Sequence, residues 1–387
     1  MWYFSCPTIV FGDDALEHLR EIQGTRALII TDSNIVKLGY AEQVSNELIK
    51  AGLECRIFDE VEPDPSMQTI RNGAQEALEY QPDWLIGLGG GSAMDAAKAI
   101  WVLYVRPDIE PDAISPTELL NLRDKARLIA IPTTSGTGAE ATWGIVVTDV
   151  AARRKLALGS RETMPDIAIL NTSFMMRLPP QLTGDTGMDA LTHAIEGYTS
   201  NWRSDFTDAP ALLAVKLIFQ YLARAFENGS DAESREHMMH AATLASMSFG
   251  NAMAGLAHSM GHALGGLFHV PHGRAVGLFL PYTMEYLAEA AAHLYADIGR
   301  FAGLINSSDL DTTRALISQV RSLASSIGQP SSVREAGIEP TAYKQSITAL
   351  VERAENEVTT VTIARIPDGA DLEKLFRYAY EGKPVNF

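Results

Sequence analysis

The chain has 387 residues, 46% of them hydrophobic and 20% charged. At about 150 residues per domain this length predicts two domains, and the balance excludes a disordered or collagen-like chain. Lys and Arg number 31 against 48 Asp and Glu, a net charge of −17, which argues against nucleic acid or an anionic membrane as partner.

In chain order, the first half alternates strand and helix patterns. Ala27–Thr31 (ALIIT) reads as a strand, 41–51 as a helix, Cys55–Phe58 as a strand and 66–78 as a helix. Trp84–Leu88 (WLIGL) reads as a third strand, followed by a helix over 93–105, and Arg127–Ile131 as a fourth. A hairpin-like excursion is expected over 145–158. Such alternation predicts a mostly parallel sheet covered by helices. From about Arg177 the strand patterns stop, and Leu178-Pro179-Pro180 breaks the chain. Helical runs follow over 186–198, 209–226, 235–250 and 256–267. The expected domains are therefore 1–177, an α/β domain with a parallel sheet, and 178–387, an all-helical one.

Positions 237–273 hold no Asp, Glu, Lys or Arg but six His. Imidazoles, Ser and Asn facing lipid would be costly, so this segment reads as a buried core rather than a membrane span. Two cysteines, Cys6 and Cys55, are too few for a disulfide framework or a thiolate zinc site, and fit a reducing, cytoplasmic compartment. Met1–Val10 lacks the basic region of a signal peptide.

Gly89-Gly90-Gly91-Ser92 falls between an expected strand and an expected helix. Glycines there let a phosphate approach the unpaired N–H groups of a helix start. The run Gly87-x-Gly89-x-x-Ser92 is an imperfect dinucleotide fingerprint. It follows a late strand rather than the first, which is the wrong context for that fingerprint. A plain tight turn explains it as well. The second turn, Thr133-Thr134-Ser135-Gly136-Thr137-Gly138, packs four hydroxyls and two glycines after another strand. Two such turns at one end of a parallel sheet point to a nucleotide crevice. Asp32, just past the first strand, has a carboxylate that suits two ribose hydroxyls and repels a 2′-phosphate. A solvated turn residue is the alternative.

Asp189 and His193 are spaced i,i+4, as are His258 and His262, and His272 lies between Pro271 and Gly273 in what reads as a loop past a helix end. Asp189, His193, His258 and His272 offer a carboxylate and three imidazoles to a divalent ion, a set suited to ferrous iron or zinc. Spacing alone leaves open a surface ion pair and hydrogen-bonded core histidines.

Four blocks resemble the iron-dependent (group III) alcohol dehydrogenases, a family related in fold to glycerol dehydrogenase and dehydroquinate synthase. They are Gly89–Ser92 with Asp95 and Lys98, then Ile131–Glu140, then Gly187–Tyr198, and Gly255–Gly265 with Pro271-His272-Gly273. The resemblance implies a dehydroquinate synthase-like fold with the active site in the cleft between the domains. It implies a metal, Fe2+ with Zn2+ possible, on Asp189, His193, His258 and His272. It implies NAD contacts from Asp32, Gly90, Gly91, Ser92, Thr133, Thr134, Thr137 and Lys155, and places His262 and Phe249 beside nicotinamide and substrate. Relatives commonly form homodimers or larger homo-oligomers. One departure is that many relatives carry an Asn-Pro element near the C-terminus where this chain reads Thr362-Ile363-Ala364-Arg365-Ile366-Pro367.

The function expected is an NAD-linked alcohol dehydrogenase that interconverts an alcohol and its aldehyde or ketone, with His262 passing the alcohol proton to solvent. Glycerol dehydrogenase-like polyol oxidation is one alternative. A dehydroquinate synthase-type lyase is another, but its phosphorylated sugar acid calls for Lys and Arg, absent between Glu236 and Gly273. A non-catalytic nucleotide-binding protein has no use for an aspartate and three histidines at ligand spacing.

Overall fold

The structure is a computed structural model and describes residues 3–150 and 154–387. Two compact units divide it, Ser5–Arg177 and Leu178–Phe387, the second also taking up Phe4, whose ring lies 6.0 Å from Phe206.

The first unit is built on a six-stranded sheet in the order β1-β8-β5-β4-β2-β3, every pairing parallel. The strands are β1 (Thr8–Phe11), β2 (Arg26–Ile30), β3 (Glu54–Phe58), β4 (Trp84–Gly89), β5 (Arg127–Pro132) and β8 (Ile167–Leu170). Between β5 and β8 comes an antiparallel hairpin, β6 (Gly144–Asp149) with β7 (Arg154–Gly159). The helices are α1 (Ser33–Lys37), α2 (Tyr40–Lys50), α3 (Met67–Tyr80) and α4 (Gly91–Val105).

Alternation along the strands fixes both faces. Leu28, Leu85 and Leu128 stand side by side in register and pack with Ile70, Ala74, Ile100 and Trp101 of α3 and α4. One residue on, Ile29, Ile86 and Ile129 align on the opposite face with Ala41, Val44 and Leu48 of α2. Every residue of β4 is buried, which explains why it reads as an unbroken apolar run rather than an alternating one. Each large aliphatic side chain so buried contributes about 1.5–3 kcal/mol.

The second unit is helical: α5 (Pro180–Thr199), α6 (Asp205–Glu227), α7 (Ala232–Ala252), α8 (Leu256–Phe268), α9 (His272–Leu287), α10 (Ala292–Phe301), α11 (Asp309–Ser326), α12 (Pro340–Glu355) and α13 (Gly369–Glu381). Helix α5 is buried almost throughout and packs against α6, α7, α9 and α8. The uncharged 237–273 stretch forms most of α7 and α8, with Ala241, Ala245, Leu256 and Met260 in the core. Among the described residues α6 alone is long and apolar enough to cross a membrane. It turns Ala211, Val215, Ile218 and Leu222 into the core beside α5 and α7.

Two expectations are corrected. Pro180 does not merely break the chain but opens α5, six residues before the expected start, because a proline at the first helical position lacks only an N–H that would go unused. His272 is not in a loop. It is the first residue of α9.

Candidate metal centre and cofactor loops

Three helices carry the metal-type side chains. On α5, Asp189 and His193 share a face one turn apart. His258 sits in the first turn of α8, and His272 opens α9. One ligand atom from each lies within 4.8 Å of all the others. The three Nε2 atoms converge on Asp189 Oδ1, from His272 at 3.3 Å, His193 at 3.8 Å and His258 at 3.9 Å. Ligands bound at about 2.1 Å around a tetrahedral ion stand roughly 3.4 Å apart, so this spacing admits one ion at the centre. Asp189 Oδ1 and His258 Nε2 are buried without a hydrogen-bond partner. Each such orphan costs about 1–3 kcal/mol, and one divalent cation satisfies both. Burial pushes the Asp189 carboxyl up, but His193, His272 and His258 override it and hold the group below the usual carboxylate range. The donor set therefore fits Fe2+ or Zn2+.

The surrounding residues fix these ligands. His258 Nδ1 lies 2.5 Å from Glu196 Oε2. Glu196 also accepts from the backbone N–H groups of Gly255, at 2.8 Å, and Ala257, at 2.6 Å, so it caps α8 while orienting its first histidine. Donation from Nδ1 leaves the Nε2 lone pair free for a metal. Burial lowers the His258 pKa, but the charge and hydrogen bond of Glu196 outweigh it and raise the group above its ordinary value. Glu196 was part of the motif that carried the resemblance, yet sequence reasoning gave it no role. Its signal was the i, i+4, i+7 spacing of Asp189, His193 and Glu196 on one face. Gly273 sets the approach of α9, since a Cβ there would stand 2.2 Å from Asp185 O and 3.1 Å from Asp189 Cβ.

Phe249 of α7 stacks on His193, with ring centroids 3.8 Å apart and planes 7° from parallel. His262 stands one turn beyond His258. Its ring stacks with His272 at 5.2 Å, it is outside the converging ligand set, and burial leads in lowering its pKa.

In the α/β unit the expected nucleotide residues collect at the carboxyl ends of the strands. Gly89 of β4 pairs with Pro132 of β5, and Thr133 N donates to Gly89 O at 2.9 Å. The two turns interlock, because a Cβ on Gly91 would meet Thr137 Cγ2 at 2.8 Å. No side chain caps the start of α4, and the nearby Ser135 hydroxyl is buried without a partner. Asp32 caps α1 through Oδ1, accepting from Asn34 N at 2.8 Å. Its Oδ2 faces Gly89, 3.8 Å from where a Cβ would stand. Lys155 Nζ bonds Asp64 Oδ1 at 2.6 Å, and Asp64 N donates to Ser92 Oγ at 3.2 Å, so Lys155 and Ser92 flank one residue. Asp95 and Lys98 tie α4 to the hairpin: Asp95 Oδ2 accepts from Val146 N at 3.0 Å, and the buried Lys98 donates to Gly144 O at 2.9 Å.

Comparison with known proteins gives concordant matches. Residues 6–172 match the family described as iron-containing alcohol dehydrogenase, and residues 183–380 the C-terminal part of the Fe-containing alcohol dehydrogenase family. The chain is 36% identical over 390 residues to an NADPH-dependent butanol dehydrogenase of Clostridium saccharobutylicum, covering 100% of both. It is 35% identical over 377 residues to a 1-propanol dehydrogenase of Citrobacter freundii, covering 96% of this chain and 98% of that one. The alcohol dehydrogenase from Oenococcus oeni superposes with a TM-score of 0.92 at 30% identity, over 98% of this chain and 100% of that one.

Proposed function

The chain belongs to the iron-containing alcohol dehydrogenase family, and from that premise we propose which residues do its work. It interconverts an alcohol and its carbonyl compound with NAD(P) and iron. We assign the ion to Asp189, His193, His258 and His272, with Glu196 holding His258 in its binding tautomer. An ion held there would supply Lewis acidity toward the alcohol oxygen, and a nicotinamide cofactor would supply the hydride acceptor. Phe249 forms an apolar wall against His193. His262 accepts the hydroxyl proton and releases it to solvent.

For the cofactor, Gly90, Gly91, Ser92, Thr133, Thr134 and Thr137 face the pyrophosphate and its riboses, and Lys155 adds a cation. Asp32 makes NAD the preferred form, in contrast to the NADPH-dependent butanol dehydrogenase above. The butanol and propanol relatives support a short primary alcohol as substrate. The domain assignment follows the two units: nucleotide at 1–177, metal and catalysis at 178–387. The enzyme works in the cytoplasm as a homo-oligomer. Supporting the latter, β1 pairs on one side only among the described strands and leaves Phe11 exposed.

The observation that carries this reading is the convergence of three imidazole Nε2 atoms on an orphaned, buried carboxylate oxygen. Elemental analysis of anaerobically purified protein, with NAD reduction followed across a panel of alcohols, tests it. About one iron per chain and chelator-sensitive turnover are expected. Full turnover in metal-free protein would overturn it.

A further inference from the structure

His262 has a partner that none of the preceding assignments uses. Glu357 lies 95 positions further along the chain, and its Oε1 stands 3.3 Å from His262 Nδ1. Both side chains are mostly shielded, His262 at 18% and Glu357 at 24% exposed. Glu357 is delivered by an anchored segment. It leads into the single helical turn Val358–Thr362. That turn is fastened to the start of α8 by the Ser259 and Thr359 hydroxyls at 2.6 Å and by Thr362 Oγ1 donating to Ala254 O at 2.9 Å. On the α5–α6 side, Asn201 N donates to Thr362 O and Asn201 Nδ2 to Ile363 O. Thr362 and Ile363 open the Thr362–Pro367 stretch that stands in place of the Asn-Pro element.

We propose that Glu357 is the positioning residue of His262. Its carboxylate accepts the Nδ1–H, fixes the plane of the ring and leaves the Nε2 lone pair to receive the alcohol proton. Which imidazole nitrogen carries the proton is set by the hydrogen bond the other nitrogen makes, and a base oriented by a carboxylate follows the logic of nucleophile–histidine–aspartate triads. The balance is simple. The alcohol loses its carbinol hydrogen as hydride to nicotinamide and its hydroxyl proton to Nε2. The resulting imidazolium, stabilised by Glu357, gives that proton to solvent. The inference rests on His262 being the relay.

The test compares the metallated enzyme with its Glu357→Ala, Glu357→Gln, His262→Ala and Glu357→Ala/His262→Ala variants. Metal content, kcat and KM for alcohol oxidation are measured in each. Long-range 1H–15N spectra of the zinc-loaded proteins read the His262 tautomer, its signals assigned by their loss in His262→Ala. Glu357→Ala is expected to keep its metal, to lose about 10–100-fold in kcat with KM little changed, and to shift the tautomer toward Nε2–H. Glu357→Gln keeps the shape but loses the charge that stabilises the imidazolium, and its amide N–H can favour the Nε2–H tautomer, so it should stay as slow as Glu357→Ala, whereas a purely structural role would be rescued by it. The double variant should be no slower than His262→Ala, because two residues acting as one unit are not additive. Native kcat in Glu357→Ala, multiplying losses in the double variant, metal loss on removing Glu357, or Nε2–H in the native spectrum each overturn the proposal. A full rate in His262→Ala instead removes the relay reading itself.

Discussion

At the scale of single residues, the ligand set makes the sharpest demands. His258→Ala and His272→Ala are each expected to lose stoichiometric metal and turnover together, and full metal content in either variant rules out that assignment. Glu196→Gln keeps the shape but loses the charge that orders His258. A loss of about 10–100-fold in metal affinity is expected, read by competition with a chelator. Asp32 has two jobs, capping α1 with one oxygen and facing the Gly89 turn with the other. Asp32→Gly keeps a tolerable cap at a cost of a few tenths of a kcal/mol, so a narrowed or reversed NADH preference reports the carboxylate's charge. Equal kcat/KM for NADH and NADPH in the native enzyme would sink that idea. Asp189, His193 and His258 stood out in the sequence because one-turn spacing is a local signal. The Glu357–His262 contact did not, since no periodicity links positions 95 apart.

At the scale of elements, close approach does what side-chain chemistry alone cannot. The start of α9 reaches α5 only because Gly273 has no side chain. Gly273→Ala should push His272 away from Asp189, costing about 1–3 kcal/mol by overpacking and lowering metal occupancy. Unchanged melting temperature and unchanged occupancy would contradict this. The strands β2, β4 and β5 were legible because each is a bounded apolar run of strand length. The edge strand β1 and the four-residue β8 were not. In β1 no residue of Thr8–Phe11 is fully buried, so no alternation marks it, and Ile167–Leu170 follows Pro165 with too few residues to show a period. His272 was misread for a related reason. Pro271-His272-Gly273 has turn composition, but Pro271, just before the first helical residue, caps the helix instead of preventing it.

At the scale of the whole molecule, the two compact units should answer to different ligands. Metal saturating at about 100 times its Kd stabilises the folded form by about 2.7 kcal/mol. For a unit of roughly 200 residues this amounts to a shift of about 5–10 °C. Calorimetry is expected to show metal moving the transition of the helical unit and NADH that of the α/β unit. A single transition moved equally by both would refute the separation. The alternation of strand and helix in one half and its absence in the other already told the units apart in the sequence, because that contrast spans over a hundred residues on each side. The four proposed ligands are unevenly covered. The side chains of Asp189, His193 and His258 are almost wholly enclosed, whereas that of His272 is 30% exposed. An ion held by these four residues is therefore expected to exchange past His272, the most open of them. If that exchange is slow, the metal content of a preparation is expected to depend on the supply when the chain folded and on the time since, which a time course of metal uptake by chelated protein would read.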